Sequence, residues 1–183
     1  VALVNQHVHA ANLVDVSGGL FGRVERQLNG LPTDGLPLAI VIGLPPVYSL
    51  GAVYAGPHEV DEIEVMGGLR GAPVPMVRCE TIDLMVPAEA EIIIEGEVPL
   101  DKLEPEGPLA EFTGYSSGMR EREIFEVKAI THRRNAIFQD LTPGHLEMFL
   151  LSAAVQEACL YRIIQRLVPS LQAVHIPAPF TLF

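Results

Sequence analysis

Basic residues are scarce in this sequence: 12 Lys and Arg stand against 23 Asp and Glu in 183 residues, a formal net charge of −11. Recognition of a nucleic-acid backbone needs clustered cations, and without a basic stripe that class of partner is excluded. Cysteine is nearly absent too. Cys79 and Cys159 lie far apart without the spacing of a metal site, so they read as reduced thiols, small core residues of a cytoplasmic protein, and not as a disulfide framework. No apolar run is long enough to span a bilayer, the most apolar being residues 148–155, and no secretory-signal pattern opens the chain; both point to a soluble protein with no membrane partner. Internal repeats and low-complexity segments are missing. None of Ser17, Ser49, Ser116 and Ser117 sits in a G-x-S-x-G elbow, which argues against a serine hydrolase.

What is present suits one domain large enough to bury its own core. Residues 2–8 and 12–16 are rich in β-branched side chains and read as strands of a hairpin, with His7 and His9 on one strand face. That His pair reads as a polar or interfacial face more readily than as a metal site lacking a third ligand. Leu20, Phe21, Val24 and Leu28 recur at helical spacing after Gly18-Gly19 and stop at Asn29-Gly30. Residues 38–42 are continuously apolar, as a strand covered on both faces would be. Small and apolar residues 47–53 follow around Gly51, where a missing side chain lets a ligand approach the backbone. A second helix is expected from Pro57, with acids in its first turn and Val60, Ile63, Met66 and Leu69 facing the core. Strands are expected over 76–80, 83–86, 91–98, 124–130 and 136–141, with little βαβ alternation. The longest helical pattern covers 146–167, stopped by Pro169; its first half is apolar nearly all round, as if another domain or subunit covered it. These elements together suggest an α+β fold, a closed or split β-barrel flanked by helices.

The densest chemistry lies in Pro105-Glu106-Gly107-Pro108-Leu109-Ala110-Glu111-Phe112-Thr113-Gly114-Tyr115. Five residues separate Glu106 from Glu111, so the two converge only if the chain turns between them, and Gly107-Pro108 is a turn signal. Beside Leu109, Phe112 and Tyr115, such a pair can hold one carboxylate ionised while the other keeps a proton to deliver. Taken alone, the pair reads either as acid/base equipment or as two solvated loop acids.

The same stretch resembles the P-E-G-P-[FLY]-[GA]-[ED]-x-x-G-Y signature of the UbiD family of decarboxylases, which use prenylated FMN to remove or add a carboxyl group on aromatic and unsaturated acids. Further ordered segments match that family. Gly43-Leu44-Pro45-Pro46 through Leu50-Gly51-Ala52 is similar to its G-x-x-P-x-x-x-L-G-A turn, and Gly67-Gly68-Leu69-Arg70-Gly71-Ala72-Pro73 to its helix-end segment. Residues 83–96 resemble its D-L-x-V-P-A-x-A-E-I-V-[IL]-E-G run, and residues 130–137 its I-T-x-R-x-x-A-I run. The resemblance implies the split β-barrel of FMN-binding proteins and covers the family's central domain alone, residues 1–183. Val1 in place of an initiator Met, and an end at Phe183 inside an apolar run, read as a fragment, an excised domain or a chain with residues out of view.

Carried over residue by residue, the resemblance makes Glu111 the proton donor and Glu106 the residue that sets the charge of the network. It puts the backbone of Gly51, Ala52, Val53 and Tyr54 against the cofactor. Glu62 becomes a ligand of the divalent ion, Mn or Mg, that holds the cofactor phosphate, with K as a candidate additional, monovalent ion. The family's catalytic arginine falls on Asn5, its metal histidine on Leu20 and its metal asparagine just before Val1. One carboxylate alone would hold a hard cation weakly. Two readings follow: the central domain of a decarboxylase acting on a small aromatic or unsaturated acid, as a homo-oligomer; or a UbiD-like domain without catalytic activity, a structural or oligomerising subunit with no cofactor bound. His132-Arg133-Arg134 reads as a phosphate contact or as a polar hairpin end, and His145 and Glu147 as a loop near the cofactor cleft or as a helix N-terminus. The 183-residue chain by itself is expected not to retain prenylated FMN.

Overall fold

Strand β2 (Leu36–Ile42) is the continuous apolar run anticipated above, and its four central residues, Leu38 to Val41, are buried on both faces. In a computed structural model that describes residues 2–3, 35–54, 60–99, 102–108, 115–116, 118–141 and 145–177, this strand pairs antiparallel with β5 (Ile92–Val98) over its full length, from Leu36 opposite Val98 to Ile42 opposite Ile92. The short β1 (Ala2–Leu3) lies parallel to β2 on its other edge, and β8 (Glu126–His132) is antiparallel to β5, so the sheet order is β1-β2-β5-β8. Two further antiparallel pairs complete the strands among the described residues, β3 (Met76–Arg78) with β4 (Met85–Pro87) and β6 (Leu103–Glu106) with β7 (Arg120–Glu123). The helices among the described residues are α1 (Pro46–Ala52), α2 (Glu62–Arg70) and α3 (Leu146–Leu167). Among the described residues the architecture is α+β, with a four-stranded sheet that is antiparallel apart from β1, two small antiparallel pairs and three helices.

The core lies where α1, α2 and the β3–β4 pair cover one face of β2. Ala39 and Val41 supply the strand side, Tyr48 and Met66 the helix side, and Cys79, Val86 and Ala90 close it. Alternation along the strand sends Leu38 and Ile40 to the opposite face, where they are buried as well. Cys79 belongs to this core as expected, and Cys159 is a half-buried free thiol on α3.

The core also contains a charge. Glu95, 1% exposed, accepts hydrogen bonds from the backbone N–H of Glu80 at 2.9 Å and of Thr81 at 2.7 Å, and from the Thr81 hydroxyl at 2.8 Å. Those donors belong to the turn between β3 and β4, so the carboxylate fastens that pair to the main sheet. Next to it Gly96 sits at a β-bulge against β8. A Cβ at Gly96 would collide with the Glu126 carbonyl oxygen and lie 2.7 Å from the Phe125 ring, so the backbones meet where no side chain fits.

Several expectations need correction. Helix α2 begins at Glu62, not Pro57, because extended Asp61 is its N-cap and accepts the Ile63 N–H at 2.8 Å; residues 57–59 lie outside the described residues. Leu69, expected to face the core, is 53% exposed, whereas Met66 is buried. Most of residues 47–53 belong to α1 (Pro46–Ala52), for which Pro46 is a favourable first residue. Residues 136–141 are not a strand: the Ile137 N–H goes to Glu91 Oε2 at 3.2 Å, and Gln139 Oε1 accepts the Leu44 N–H at 3.2 Å, so side chains take the place of a ladder. The β6–β7 pair was not expected, since its residues are mostly charged and exposed. The hairpin over residues 2–16 and the helix after Gly18 lie outside the described residues, save for Ala2 and Leu3.

Helix α3 occupies the expected 22 residues. His145 is its N-cap, with Nδ1 accepting the Glu147 N–H at 3.4 Å, which gives the helix-end reading of that pair. Residues 168–177 fold back along it: Glu157 accepts the Ile176 N–H at 2.7 Å, and its carboxylate meets His175 at 2.9 Å. Phe149 and Ala153 are buried, but Leu146 and Leu150 remain exposed. Among the described residues no helix is long and apolar enough to cross a membrane.

Burial alone would push the Glu95 carboxyl up, but the donors on Glu80, Thr81 and Ile82 outweigh it and hold the carboxyl below the usual range. A lowered folded-state value means that Glu95 stabilises the fold fully above the unfolded carboxylate range, about pH 4.3, and that this stability fades as pH falls through the lowered value. Glu95→Gln turns an amide donor toward the same N–H groups and should cost about 1.5–3 kcal/mol at neutral pH. Urea unfolding of both proteins from pH 7 down to 3 should show the gap narrowing with acid; a gap independent of pH would mean the charge is not what stabilises the turn.

Candidate functional site

Helices α1 and α2 pack without a side chain between them at Gly51. A Cβ there would collide with Met66 Cγ and stand 3.1 Å from the Met66 backbone, so the glycine is needed for the helix contact itself. Three residues earlier on α1, Tyr48 is completely buried and its hydroxyl donates to Glu89 Oε2. Arg70, the last residue of α2, donates to Glu89 Oε1 at 2.9 Å and to the Pro73 carbonyl at 2.8 Å. Moving forward on α1 from Tyr48 to Gly51 therefore moves backward on α2 from Arg70 to Met66. The helix pair is thus tied at two points, through Glu89 between Tyr48 and Arg70 and directly between Gly51 and Met66.

Of the expected residues, Ala52, Val53 and Tyr54 are half-buried at the C-terminal end of α1, and Glu62 is half-buried as the first residue of α2. Among the described residues no three His, Cys, Asp or Glu side chains come together, and Glu62 offers one carboxylate.

At the Arg70 end, electrostatics lock the pair. Burial, then the hydrogen bond to Glu89, push the Tyr48 phenol up. The Tyr48 hydrogen bond, with Arg70 adding to it, holds the Glu89 carboxyl down against the effect of burial. Glu89 therefore remains an acceptor near neutral pH. Sequence reading missed this trio, because residues 48, 70 and 89 share no motif and no periodic spacing.

Glu106 closes β6 opposite Arg120 of β7, which places the two side chains on the same face of the hairpin. It is half-buried, with its Oε2 atom out of contact with solvent. Gly107 follows at φ 98°, and a Cβ there would approach the Gly118 carbonyl oxygen to 2.7 Å, so the turn requires glycine. Glu111, the other half of the acid pair, lies outside the described residues, as do Asn5, His7, His9 and Leu20.

A cleft of about 550 Å³ opens at the end of the sheet where β2 and β8 finish, near Leu44, Glu89, Glu91 and Arg133. Its polar groups are engaged in holding the frame. The Arg133 guanidinium donates to the carbonyls of Ala90 at 3.2 Å and Glu89 at 3.0 Å and lies 3.6 Å from Glu91, which fits the polar hairpin-end reading of His132-Arg133-Arg134.

Comparison with known proteins places this frame. The family described as 3-octaprenyl-4-hydroxybenzoate carboxy-lyase Rift-related domain, UbiD, matches residues 20–146. An evolved dimeric form of the UbiD-class enzyme HmfF from Pelotomaculum thermopropionicum, in complex with prFMN, is 32% identical over 96% of this chain and 38% of its own, with a TM-score of 0.79. Vanillic acid decarboxylase of Sedimentibacter hydroxybenzoicus in its open form is 33% identical over 83% of this chain and 34% of its own, TM-score 0.74. Apo 3,4-dihydroxybenzoic acid decarboxylase, AroY, of Klebsiella pneumoniae is 30% identical over 85% and 34%, TM-score 0.71. The chain thus spans little more than a third of the length of these relatives.

The two explanations of Gly51, helix packing and ligand approach, are separable by experiment. Gly51→Ala gains about 1 kcal/mol of helix propensity but suffers overpacking of about 1–3 kcal/mol against Met66. The packing account therefore expects a net loss on urea unfolding. A variant that unfolds at the wild-type midpoint or above would leave ligand approach as the reason for the glycine.

Proposed function

The chain belongs to the UbiD family of carboxy-lyases, and on that premise we propose that it is the central, split-barrel domain of a prenylated-FMN decarboxylase acting on an aromatic or α,β-unsaturated carboxylic acid. The observation that carries the reading is the match of 96% of the chain, at a TM-score of 0.79, to a UbiD-class enzyme in complex with prFMN. The decarboxylases of vanillic and 3,4-dihydroxybenzoic acids among the relatives favour an aromatic acid as substrate.

In this reading the end of the helix pair at Gly51, Ala52, Val53 and Tyr54 receives the flavin, and Glu62 contributes one oxygen to a divalent ion at its phosphate. When bound, prenylated FMN supplies an electron sink for the pair of electrons left behind as carbon dioxide departs. Glu111 then delivers a proton to the carbon that has lost its carboxylate. Glu106 sets the charge state of the pair from its half-buried place at the end of β6, facing the same side as Arg120. Homo-oligomerisation belongs to the same reading, supported by the exposed apolar residues Leu146, Leu150, Leu160 and Ile163 along α3.

Glu111→Gln in the whole protein tests this assignment. The amide keeps the size and hydrogen-bonding reach of the carboxyl but has no proton to give at neutral pH. A positioned general acid contributes about 10² to 10⁴ in rate, so turnover should fall at least about a hundredfold while flavin stays bound. Near-normal turnover with flavin bound would remove Glu111 as proton donor. A whole protein that binds no flavin at all would instead favour a UbiD-like domain with a structural role.

A further inference from the structure

Glu89 is a single carboxylate shared by two helices. One oxygen takes the Tyr48 hydroxyl of α1, the other takes Arg70 at the end of α2, and the backbone carbonyl of the same residue accepts Arg133 from the end of β8. The packing of Tyr48 does not require this. Its ring is completely buried, and Phe would fill that space equally, so the hydroxyl is there for its partner. The close contact of Gly51 with Met66 stands between this lock and the opposite end of the pair.

The arrangement works as a lever. Tyr54 is three residues beyond Gly51 and Glu62 four residues before Met66, roughly 4.5 Å and 6 Å at a helical rise of about 1.5 Å. A tilt of roughly 10° about the Gly51 contact, permitted by loss of the Glu89 bridge, would move these far ends by about 1 Å in opposite senses. Ligand sites tolerate little of that, since a displacement of about 1 Å already disrupts a preorganised geometry.

We propose that Tyr48, Glu89 and Arg70 are positioning residues for the flavin, fixing α1 against α2 and so setting where Val53 and Tyr54 stand at the end of α1. This rests on the flavin reading given above. In this role the three act through the helix ends.

The test is titration of FMN into the whole protein, followed by flavin fluorescence, for wild type, Tyr48→Phe and Arg70→Gln, each well below its melting temperature. Both variants should bind FMN about tenfold more weakly or worse, and the reconstituted enzyme should lose kcat while KM for the acid stays near wild type. Arg70→Gln changes a residue at the surface, so it carries the test even if Tyr48→Phe folds poorly. Variants that melt earlier but bind FMN as wild type does would show a purely structural bridge and overturn the proposal. Wild type that fails to bind FMN would overturn the flavin reading, and the positioning role with it.

Discussion

The Glu95 carboxylate is the constraint on which the frame depends. An ionised carboxylate inside a core is costly unless nearly every lone pair is met, and here the turn between β3 and β4 meets them with backbone amides and a threonine hydroxyl. The cost of burial is thereby converted into a fixed position for that turn, and the turn carries Cys79 and Val86 into the core beneath the helices. The neighbouring Gly96 lets β8 approach at the bulge. Both the helix-covered face and the approach of β8 to β5 are thus set at adjacent residues of one strand.

The segments that resemble the family signature divide by physical role. Glu91, Glu95, Gly96 and Arg133 belong to the frame: a carboxylate that holds Ile137, a buried carboxylate that holds a turn, a glycine where two backbones meet, and a guanidinium that ties the start of β5 to the end of β8. Glu62, Glu106 and the end of α1 lie half-buried at the ends of their elements.

Much of the fold was legible where the physical signal is local. The unbroken apolar run of β2 and the 3.6-residue pattern ending before Pro169 in α3 identify those elements, because periodicity and breakers act within a few residues. The hairpin β6–β7 was not legible: Leu103-Glu104-Pro105-Glu106 and Arg120-Glu121-Arg122-Glu123 have no apolar alternation, and they pair because the chain turns between them. Residues 136–141 failed in the other direction, since their apolar character suggested a strand while their hydrogen bonds go to Glu91 and Leu44.

By itself the sequence determined the family, the acid pair of Glu106 and Glu111 as the chemical candidates, and the long elements whose periodicity needs no partner. Tertiary structure alone decided that Gly51 is occupied by Met66, that Glu95 is buried, and that Tyr48 and Arg70 meet at Glu89 across 41 and 19 residues of chain. The reason is that a side chain's partner at such separations leaves no trace in local spacing: which donor meets a buried acceptor is settled only when the sheet and helices have brought them within about 3 Å.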